Sequence, residues 1–137
     1  MNDIKEMIKA SLKARDFSYC PYSHYAVGAA LLLKNGEIVT GANIENASYG
    51  ATNCAERTAF FKAVSEGKKE FAAIAIAGGK EGSAPIDYAY PCGVCRQVMR
   101  EFCDEETFEV YVVISEGEYE KYLLKDLLPK SFGPNNL

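Results

Sequence analysis

The amino-acid sequence predicts an α/β protein of three layers, in which helices cover both faces of a central mixed sheet of five strands. Segments of helical and of strand character alternate in the order α-β-β-α-β-α-β, and a further strand is predicted at YEKYLL. Hydrophobic residues make up 48% of the 137 residues, which is enough for a sizeable core. No repeat, linker or low-complexity tract divides the sequence, so residues 1–137 are predicted to form a single domain.

The first helix and the first two strands follow from local patterns. Apolar residues recur at helical spacing on one face of the segment 4–12: Ile4, Met7, Ile8 and Leu12. Asp3 precedes them as the predicted N-cap. The run VGAALLLKNGEIVTGAN then predicts a hairpin around Asn35-Gly36, with a type I′ turn in which both central residues have positive φ. The almost continuous apolar run before this turn predicts a strand buried on both faces.

The second half of the chain continues the alternation. NCAERTAFFKAVSEG predicts a helix capped by Asn53 and ended by Gly67. FAAIAIAG predicts a buried strand, and the segment from Gly78 to Tyr90 predicts a loop. CGVCRQVMREF predicts a helix, FEVYVVI a strand and KDLLP a short helical turn. Together with YEKYLL, these segments complete the predicted sheet and its covering helices.

Charge and composition narrow the classes of partner. The net charge is −4, and the lysines and arginines are dispersed, which disfavours a nucleic-acid partner because phosphate backbones bind clustered positive charge. A small, uncharged ligand suits the chain better. No stretch of eighteen apolar residues is present, so no membrane partner is predicted. Five cysteines without a secretion signal predict a reducing, cytoplasmic environment, where cysteines bind metal or catalyse more often than they form disulfides.

The pair of cysteines in PCGVC, at residues 91–95, indicates a metal site. At positions i and i+3 of a helix, Cys92 and Cys95 face the same way and can bind one ion. Four residues are candidates for a further ligand: Cys20, His24, Cys54 and Cys103. Cys54 is favoured because it lies at a predicted helix start, where the helix dipole stabilises a thiolate. Cys103 lies roughly 12 Å along the helix from Cys95, so it is predicted to be a core thiol.

Three protein ligands are typical of a catalytic zinc ion, which keeps one position open for water, whereas structural sites have four. Glu56 follows Cys54 by two residues and therefore does not share its helix face. It is predicted to lie beside the metal, as a proton acceptor and donor, and not on it. A redox pair and half of a zinc ribbon are the alternatives for an isolated C-x-x-C. The second half of a ribbon is missing from the sequence, and the Cys-Ala-Glu motif favours a catalytic zinc.

Cys-Ala-Glu followed by PCGVC resembles the signature of zinc-dependent nucleobase deaminases. Four segments resemble, more closely, the small cytidine deaminases with three cysteine ligands: YCPYSHYAVGAAL, GANIENASYGATNCAERTA, PCGVCRQVMREF and LLPKSFGP. The similarity covers nearly the whole chain. It implies the fold predicted above, one zinc ion per subunit, and hydrolytic deamination of cytidine and 2′-deoxycytidine to uridine and 2′-deoxyuridine with release of ammonia, a reaction of pyrimidine salvage.

The resemblance also implies roles for individual residues. Arg57 corresponds to an arginine that hydrogen-bonds to the ligand sulfurs and offsets their negative charge. In NIEN, Asn43 and Glu45 match the ribose-binding motif of the family. Tyr25 stands where similar enzymes carry a phenylalanine that packs on the pyrimidine ring, so an aromatic face is kept and a hydroxyl is added.

The resemblance further implies a homotetramer with shared active sites. Ala47, Tyr49 and Phe132 match positions that reach the pocket from neighbouring subunits in similar enzymes. Two other functions compete with this prediction. A deaminase for blasticidin S shares the three-cysteine zinc site, but its relatives lack the NIEN motif. A non-catalytic zinc module has no need of the open coordination position beside Glu56.

Overall fold

The computed structural model describes residues 2–137, and the elements below are those of this range. The α-helices are α1 (Asn2–Ala14), α2 (Ala55–Ser65), α3 (Gly93–Phe102) and the single turn α4 (Leu124–Leu127). The strands are β1 (Tyr25–Leu33), β2 (Ile38–Ala42), β3 (Phe71–Lys80), β4 (Glu109–Ser115) and β5 (Glu118–Leu123). Short 3₁₀ helices occupy Arg15–Phe17, Tyr49–Ala51 and Pro134–Asn136. None of the helices within residues 2–137 combines the length and apolar character needed to cross a membrane.

The strands form one mixed sheet in the order β2-β1-β3-β4-β5. Strands β3 and β4 are parallel, with Ala75 opposite Tyr111, and α3 lies in the connection between them. The other neighbouring strands pair antiparallel. The predicted mixed five-stranded sheet, including the strand at YEKYLL, is therefore confirmed.

Helices cover both faces of the sheet. On one face, Met7 and Ile8 of α1 are buried in a cluster with alanines of β1 and β3. On the other face, Phe60 of α2 and Met99 of α3 pack in a second cluster with Ile74 of β3. Phe60 also contacts three further aromatic rings: Phe71, Phe102 and Phe108. This second layer matters for function because it fixes the two helices whose N-termini carry the candidate metal ligands.

Both predicted helix caps are displaced by one residue or more. Helix α1 already includes Asn2, so Asp3 lies in its first turn, where a carboxylate still interacts favourably with the helix dipole. The N-cap of α2 is Cys54 and not Asn53, because the backbone carbonyl of Cys54 accepts the first helical bond, from the Thr58 N–H at 3.0 Å. Only the far end of α2 is as predicted, with Gly67 following the last helical turn at a φ of 83°.

The β1–β2 hairpin is present, but its turn differs from the predicted type I′. Gly36 has a φ of 93°, whereas Asn35 is not among the residues with positive φ. The Gly36 N–H donates to the Leu33 carbonyl at 3.0 Å, and the Leu33 N–H donates to the Glu37 carbonyl at 2.8 Å. These hydrogen bonds are typical of a turn followed by one left-handed residue. Such a hairpin loop is longer than a two-residue type I′ turn and requires positive φ only at its glycine.

Strand β3 is longer than predicted and continues to Lys80, which lies opposite Tyr25 at the start of β1. The loop predicted from Gly78 therefore begins after Lys80. The two glycines extend the strand because pairing with β1 supplies backbone hydrogen bonds that local propensity does not report.

Candidate active site

The N-termini of α2 and α3 meet at a cluster of three thiols. Cys54 is the N-cap of α2, Cys92 is the N-cap of α3, and Cys95 lies in the first turn of α3. The Cys54 and Cys92 sulfurs are 3.8 Å apart, and those of Cys92 and Cys95 are 3.4 Å apart. All three lie within 4.8 Å of one another, the one such cluster of metal-ligating side chains among residues 2–137.

This donor set fits a zinc ion. Zinc–thiolate bonds of about 2.3 Å in a tetrahedron place sulfur atoms roughly 3.8 Å apart, close to the separations observed here. Cys95 is buried, Cys54 is half-buried and Cys92 is exposed, so the cluster is closed on the core side and accessible from the other. Three ligands around an accessible face are the arrangement of a catalytic zinc site.

Neighbouring groups favour a thiolate at Cys54. The hydrogen bond from the Cys95 thiol, aided by Arg57, lowers the pKa of Cys54 to about 5. The same contact with Cys54 raises the pKa of Cys95, because a thiol that donates to a thiolate holds its proton. The Arg57 Nη2 atom lies 3.3 Å from the Cys54 sulfur. A guanidinium in this place can offset negative charge on the sulfurs, and the contact is the one that the family resemblance implied.

Glu56 lies in the first turn of α2 with 5% of its surface exposed. Burial raises the pKa of this carboxyl from 4.5 to about 7. A buried carboxylate beside thiolates is costly to ionise, because neither solvent nor an adjacent cation fully compensates its charge. Glu56 is thus a group that can take up and release a proton near neutral pH.

A cavity of about 260 Å³ opens beside these groups. Its walls come from four parts of the chain: Tyr25, Val27, Asn43, Glu45, Thr52, Asn53, Cys54, Ala55, Glu56, Ala89, Tyr90 and Cys92. Six of the residues predicted from the sequence line this cavity: Tyr25, Asn43, Glu45, Cys54, Glu56 and Cys92. The cavity therefore brings Glu56 and two of the three clustered cysteines together with Tyr25, Asn43 and Glu45.

Backbone pairing brings the NIEN segment to the thiol cluster. Ile44 forms an antiparallel bridge with Asn53, the residue before Cys54, and a parallel bridge with Tyr19. The side chain of Asn43 is tied to the start of β1, since its Oδ1 accepts from the Val27 N–H at 2.9 Å and its Nδ2 donates to the Tyr25 carbonyl at 2.8 Å. These bonds leave one N–H of the Asn43 amide for a ligand.

The Tyr25 ring lies against the backbone at Gly78. A Cβ atom at Gly78 would stand 2.7 Å from the Ala89 Cβ and 3.0 Å from the Tyr25 ring, so any larger residue would displace one of them. Because glycine has no side chain, Gly78 leaves room for the Tyr25 ring that lines the cavity. Gly78 stands at the predicted border between a strand and a loop, and the sequence indicates no role for it at the site.

Residues 1–111 match the family described as the cytidine and deoxycytidylate deaminase zinc-binding region. The chain belongs to this family. The cytidine deaminase of Halalkalibacterium halodurans is 48% identical over 95% of this chain and 94% of its own length. That of Sporosarcina psychrophila is 47% identical over 98% and 95%. The crystal structure of cytidine deaminase from Burkholderia pseudomallei has a TM-score of 0.83 and 44% identity, covering 93% of this chain and 97% of its own.

Membership of the deaminase family, with the three-thiol cluster, confirms the prediction of a zinc-dependent enzyme and of the fold. The antibiotic deaminase considered above is a more distant relative. The blasticidin-S deaminase of Bacillus cereus is 29% identical over 95% of this chain.

Three residues expected at the site lie outside the cavity of the same chain. Ala47 is exposed, Tyr49 is 82% exposed and Phe132 is 58% exposed. Tyr49 lines a neighbouring cavity of about 390 Å³ that shares Glu45 and Thr52 with the deaminase site. All three side chains are thus accessible on the surface of one chain.

Other predictions concern residues away from the metal. Cys20 and Cys103 are buried and lie outside the thiol cluster, and Cys103 packs in the core between the sheet and α2 and α3. His24 is an exposed loop residue that contacts Glu81 at 3.2 Å. Neither the two cysteines nor the histidine reaches the metal site.

Several residues at the site had no role in the sequence prediction. Ser18 and Ser23 hydrogen-bond to Asn43 and Glu45, respectively. Tyr90 lines the cavity, and its hydroxyl donates to Glu120 at 2.7 Å. Both serines lie within YCPYSHYAVGAAL or next to it, a segment already singled out by its resemblance. No periodicity or spacing reports their contacts, because the contacting residues are more than twenty positions apart.

Proposed function

We propose that the chain catalyses the hydrolytic deamination of cytidine and 2′-deoxycytidine to uridine and 2′-deoxyuridine, with release of ammonia, in pyrimidine salvage. One observation carries this proposal: the buried Glu56 carboxyl and the three-thiol cluster share the cavity that Asn43 and Glu45 also line. The relatives with 47% and 48% identity bear the name cytidine deaminase, which supports the same activity.

The proton transfers fall to Glu56. When bound by Cys54, Cys92 and Cys95, zinc supplies the Lewis acidity that lets water act as a nucleophile at neutral pH. Glu56 accepts the proton of the attacking water, which adds to C4 of the pyrimidine. It delivers this proton to N3, then takes the proton of the newly formed C4 hydroxyl and passes it to the departing amino group, so that ammonia leaves and the carbonyl of uridine forms. A pKa near neutrality suits a group that must both accept and donate.

Arg57 maintains the charge balance of the site. Three thiolates outweigh the charge of Zn²⁺, and the guanidinium 3.3 Å from the Cys54 sulfur withdraws part of that excess. A ligand sulfur that accepts a hydrogen bond donates less charge to the metal, so Arg57 preserves the acidity on which the nucleophile depends.

The nucleoside is recognised at both ends of the cavity. Asn43 has one free N–H to donate to a ribose hydroxyl, and Glu45 accepts from the neighbouring hydroxyl. The Tyr25 ring packs on the face of the pyrimidine. A free base lacks ribose hydroxyls and cannot form these hydrogen bonds, so the carboxylate favours a nucleoside over a free base.

The active enzyme is a homotetramer in which Ala47, Tyr49 and Phe132 complete the pocket of a neighbouring subunit. The exposure of Tyr49 and Phe132 is consistent with this arrangement, because both rings are free to contact a neighbouring subunit. The enzyme acts in the cytoplasm. Three thiols within 4.8 Å of one another persist as metal ligands only where the surroundings keep them reduced.

Steady-state assays on three substrates test this function. Cytidine and 2′-deoxycytidine should be turned over with a fall in ultraviolet absorbance, and blasticidin S should be a far poorer substrate. Removal of zinc with a chelator should abolish turnover, and its return should restore it. Turnover of blasticidin S alone would identify the antibiotic deaminase instead. A zinc-loaded protein that deaminates none of the three would leave only the non-catalytic zinc module.

A further inference from the structure

Ser23 lies at the junction of the two parts of the site that contact the substrate. We propose that Ser23 is a positioning residue of the nucleoside site, which orients the Glu45 carboxylate toward the ribose hydroxyls of the substrate. The inference rests on the function proposed above. It assigns to Ser23 the selectivity for a substrate that carries ribose hydroxyls.

The Ser23 hydroxyl is both donor and acceptor. It donates to Glu45 Oε2, and it accepts from the Tyr25 backbone N–H at 3.0 Å. One hydroxyl therefore connects the residue proposed to bind ribose with the residue proposed to pack on the base. Ser23 lies two residues before Tyr25, the first residue of β1, so this contact joins the turn to the start of the strand.

Backbone N–H groups of the same turn also hydrogen-bond to the Glu45 carboxylate. The N–H groups of Tyr22 and Ser23 donate to Glu45 Oε1 at 2.9 and 3.2 Å. A carboxylate offers about four lone-pair sites, and three are occupied by these donors, which leaves one site on Oε2 for a substrate hydroxyl. With both oxygens bound, the carboxylate cannot rotate freely, and its remaining acceptor site keeps a defined place.

The same contacts favour the ionised form of the Glu45 carboxyl. The hydrogen bond from the Ser23 hydroxyl, followed by those from the two backbone N–H groups, lowers the pKa of Glu45. Loss of the hydroxyl therefore gives the carboxylate rotational freedom, and its remaining acceptor site no longer keeps a defined place.

The turn that carries Ser23 is held from several sides. His24 has a φ of 57°, a left-handed conformation that is uncommon for residues other than glycine. Its N–H donates to the Cys20 carbonyl at 2.9 Å, and its carbonyl accepts from the Glu81 N–H at 2.8 Å. Backbone conformations of this kind persist where the surrounding contacts determine them, and they are common at ligand sites.

Substitution of Ser23 by alanine should impair nucleoside selection more than chemistry. A hydrogen bond to a charged group corresponds to about a tenfold to hundredfold effect on binding. We expect kcat/KM for cytidine to fall about tenfold, mainly through KM, while kcat changes little. For 2′,3′-dideoxycytidine, which lacks both ring hydroxyls, kcat/KM should change much less. The preference for cytidine over the dideoxy analogue should therefore shrink about tenfold.

Two pairs of variants isolate the hydroxyl. Wild type and Ser23→Ala form the first pair, and Ser23→Thr and Ser23→Val, which are nearly isosteric, form the second. In each pair, the protein without the hydroxyl should lose selectivity. The matched control is Ser65→Ala at the exposed end of α2, where the serine hydroxyl donates only to the Lys62 carbonyl. This control should keep the wild-type ratio, and thermal unfolding of all variants checks that the folded state is retained.

The results separate the inference from the function on which it rests. A wild-type protein that does not deaminate cytidine overturns the proposed function. An active wild type, with variants that lose activity on cytidine and on the dideoxy analogue by the same factor, overturns the role of Ser23. Unchanged kinetics in both variants without the hydroxyl overturn it as well. A smaller loss when Ser23→Ala is introduced into Glu45→Gln than into wild type supports the coupling between the two side chains.

Discussion

Replacement of Glu56 by glutamine tests the central step of the mechanism. Glutamine is nearly isosteric and uncharged, so the start of α2 and the three thiols should be unaffected, and zinc should still bind one to one. The amide cannot accept a proton from water. General acid–base catalysis contributes about 10² to 10⁴ in rate, and the proposed mechanism uses Glu56 in successive transfers, so turnover should fall at least roughly a thousandfold. Nucleoside binding should persist.

The burial of Glu56 adds a second, independent consequence for the metal-free protein. Because the folded-state pKa of about 7 lies above the ordinary 4.5, Glu56 favours the folded state most below pH 4.5, and this stability is lost as the pH rises through 7. The rise in pKa corresponds to roughly 3 kcal/mol. Glutamine does not ionise, so metal-free Glu56→Gln should gain up to roughly this amount over metal-free wild type between pH 4.5 and 8.

Three measurements decide the outcome: metal content by atomic absorption, the fall in ultraviolet absorbance with cytidine, and urea unfolding of chelated, reduced protein at several pH values. Glu66→Gln, at the exposed C-terminal end of the same helix, is the matched control and should behave as wild type in all three. Loss of zinc with the carboxylate would show that Glu56 is a ligand. A nearly unchanged rate would assign the proton transfers to another group, and a stability difference independent of pH would refute the argument from burial.

Three further predictions concern the metal and the assembly. Replacement of any one of the clustered cysteines by alanine should abolish stoichiometric zinc binding and destabilise the fold. These cysteines are Cys54, Cys92 and Cys95. Cys20→Ala and Cys103→Ala should keep one zinc per chain, and zinc loss in either would mean that the ligand set is wrong. Arg57→Gln should lower zinc affinity or turnover about tenfold to a hundredfold, since it removes the contact with the Cys54 sulfur, as metal titration and kinetics can check. Phe132→Ala and Glu56→Gln should each be impaired alone, and a mixture of the two variants, dissociated and reassembled, should regain activity. A shared site can then combine Glu56 from the first variant with Phe132 from the second. A monomer that is fully active in sedimentation would contradict this.

The elements of the fold could be predicted because each one buries a regular pattern. The apolar spacing around Met7 and Ile8 predicted the face of α1 that is buried, and YEKYLL predicted a strand, β5, which the structure places at the edge of the sheet. The details at the ends of elements were wrong where a neighbouring segment decides them. Pairing with β1 extends β3 to Lys80, and the loop after Leu33 is longer than the predicted turn. Local propensity carries no information on such partners.

The sequence by itself determined the chemistry of the metal site, because two of the three thiols are neighbours on one helix and the third, with Glu56, begins another. Only the tertiary structure decided how that chemistry meets a substrate. Asn43 and Glu45 reach the cavity through the pairing of Ile44 with Asn53, and Glu45 accepts a hydrogen bond from Ser23, 22 residues away in the sequence. Such contacts depend on the path of the backbone through the sheet, and a hydroxyl that both donates and accepts shows its role only when both partners are in place.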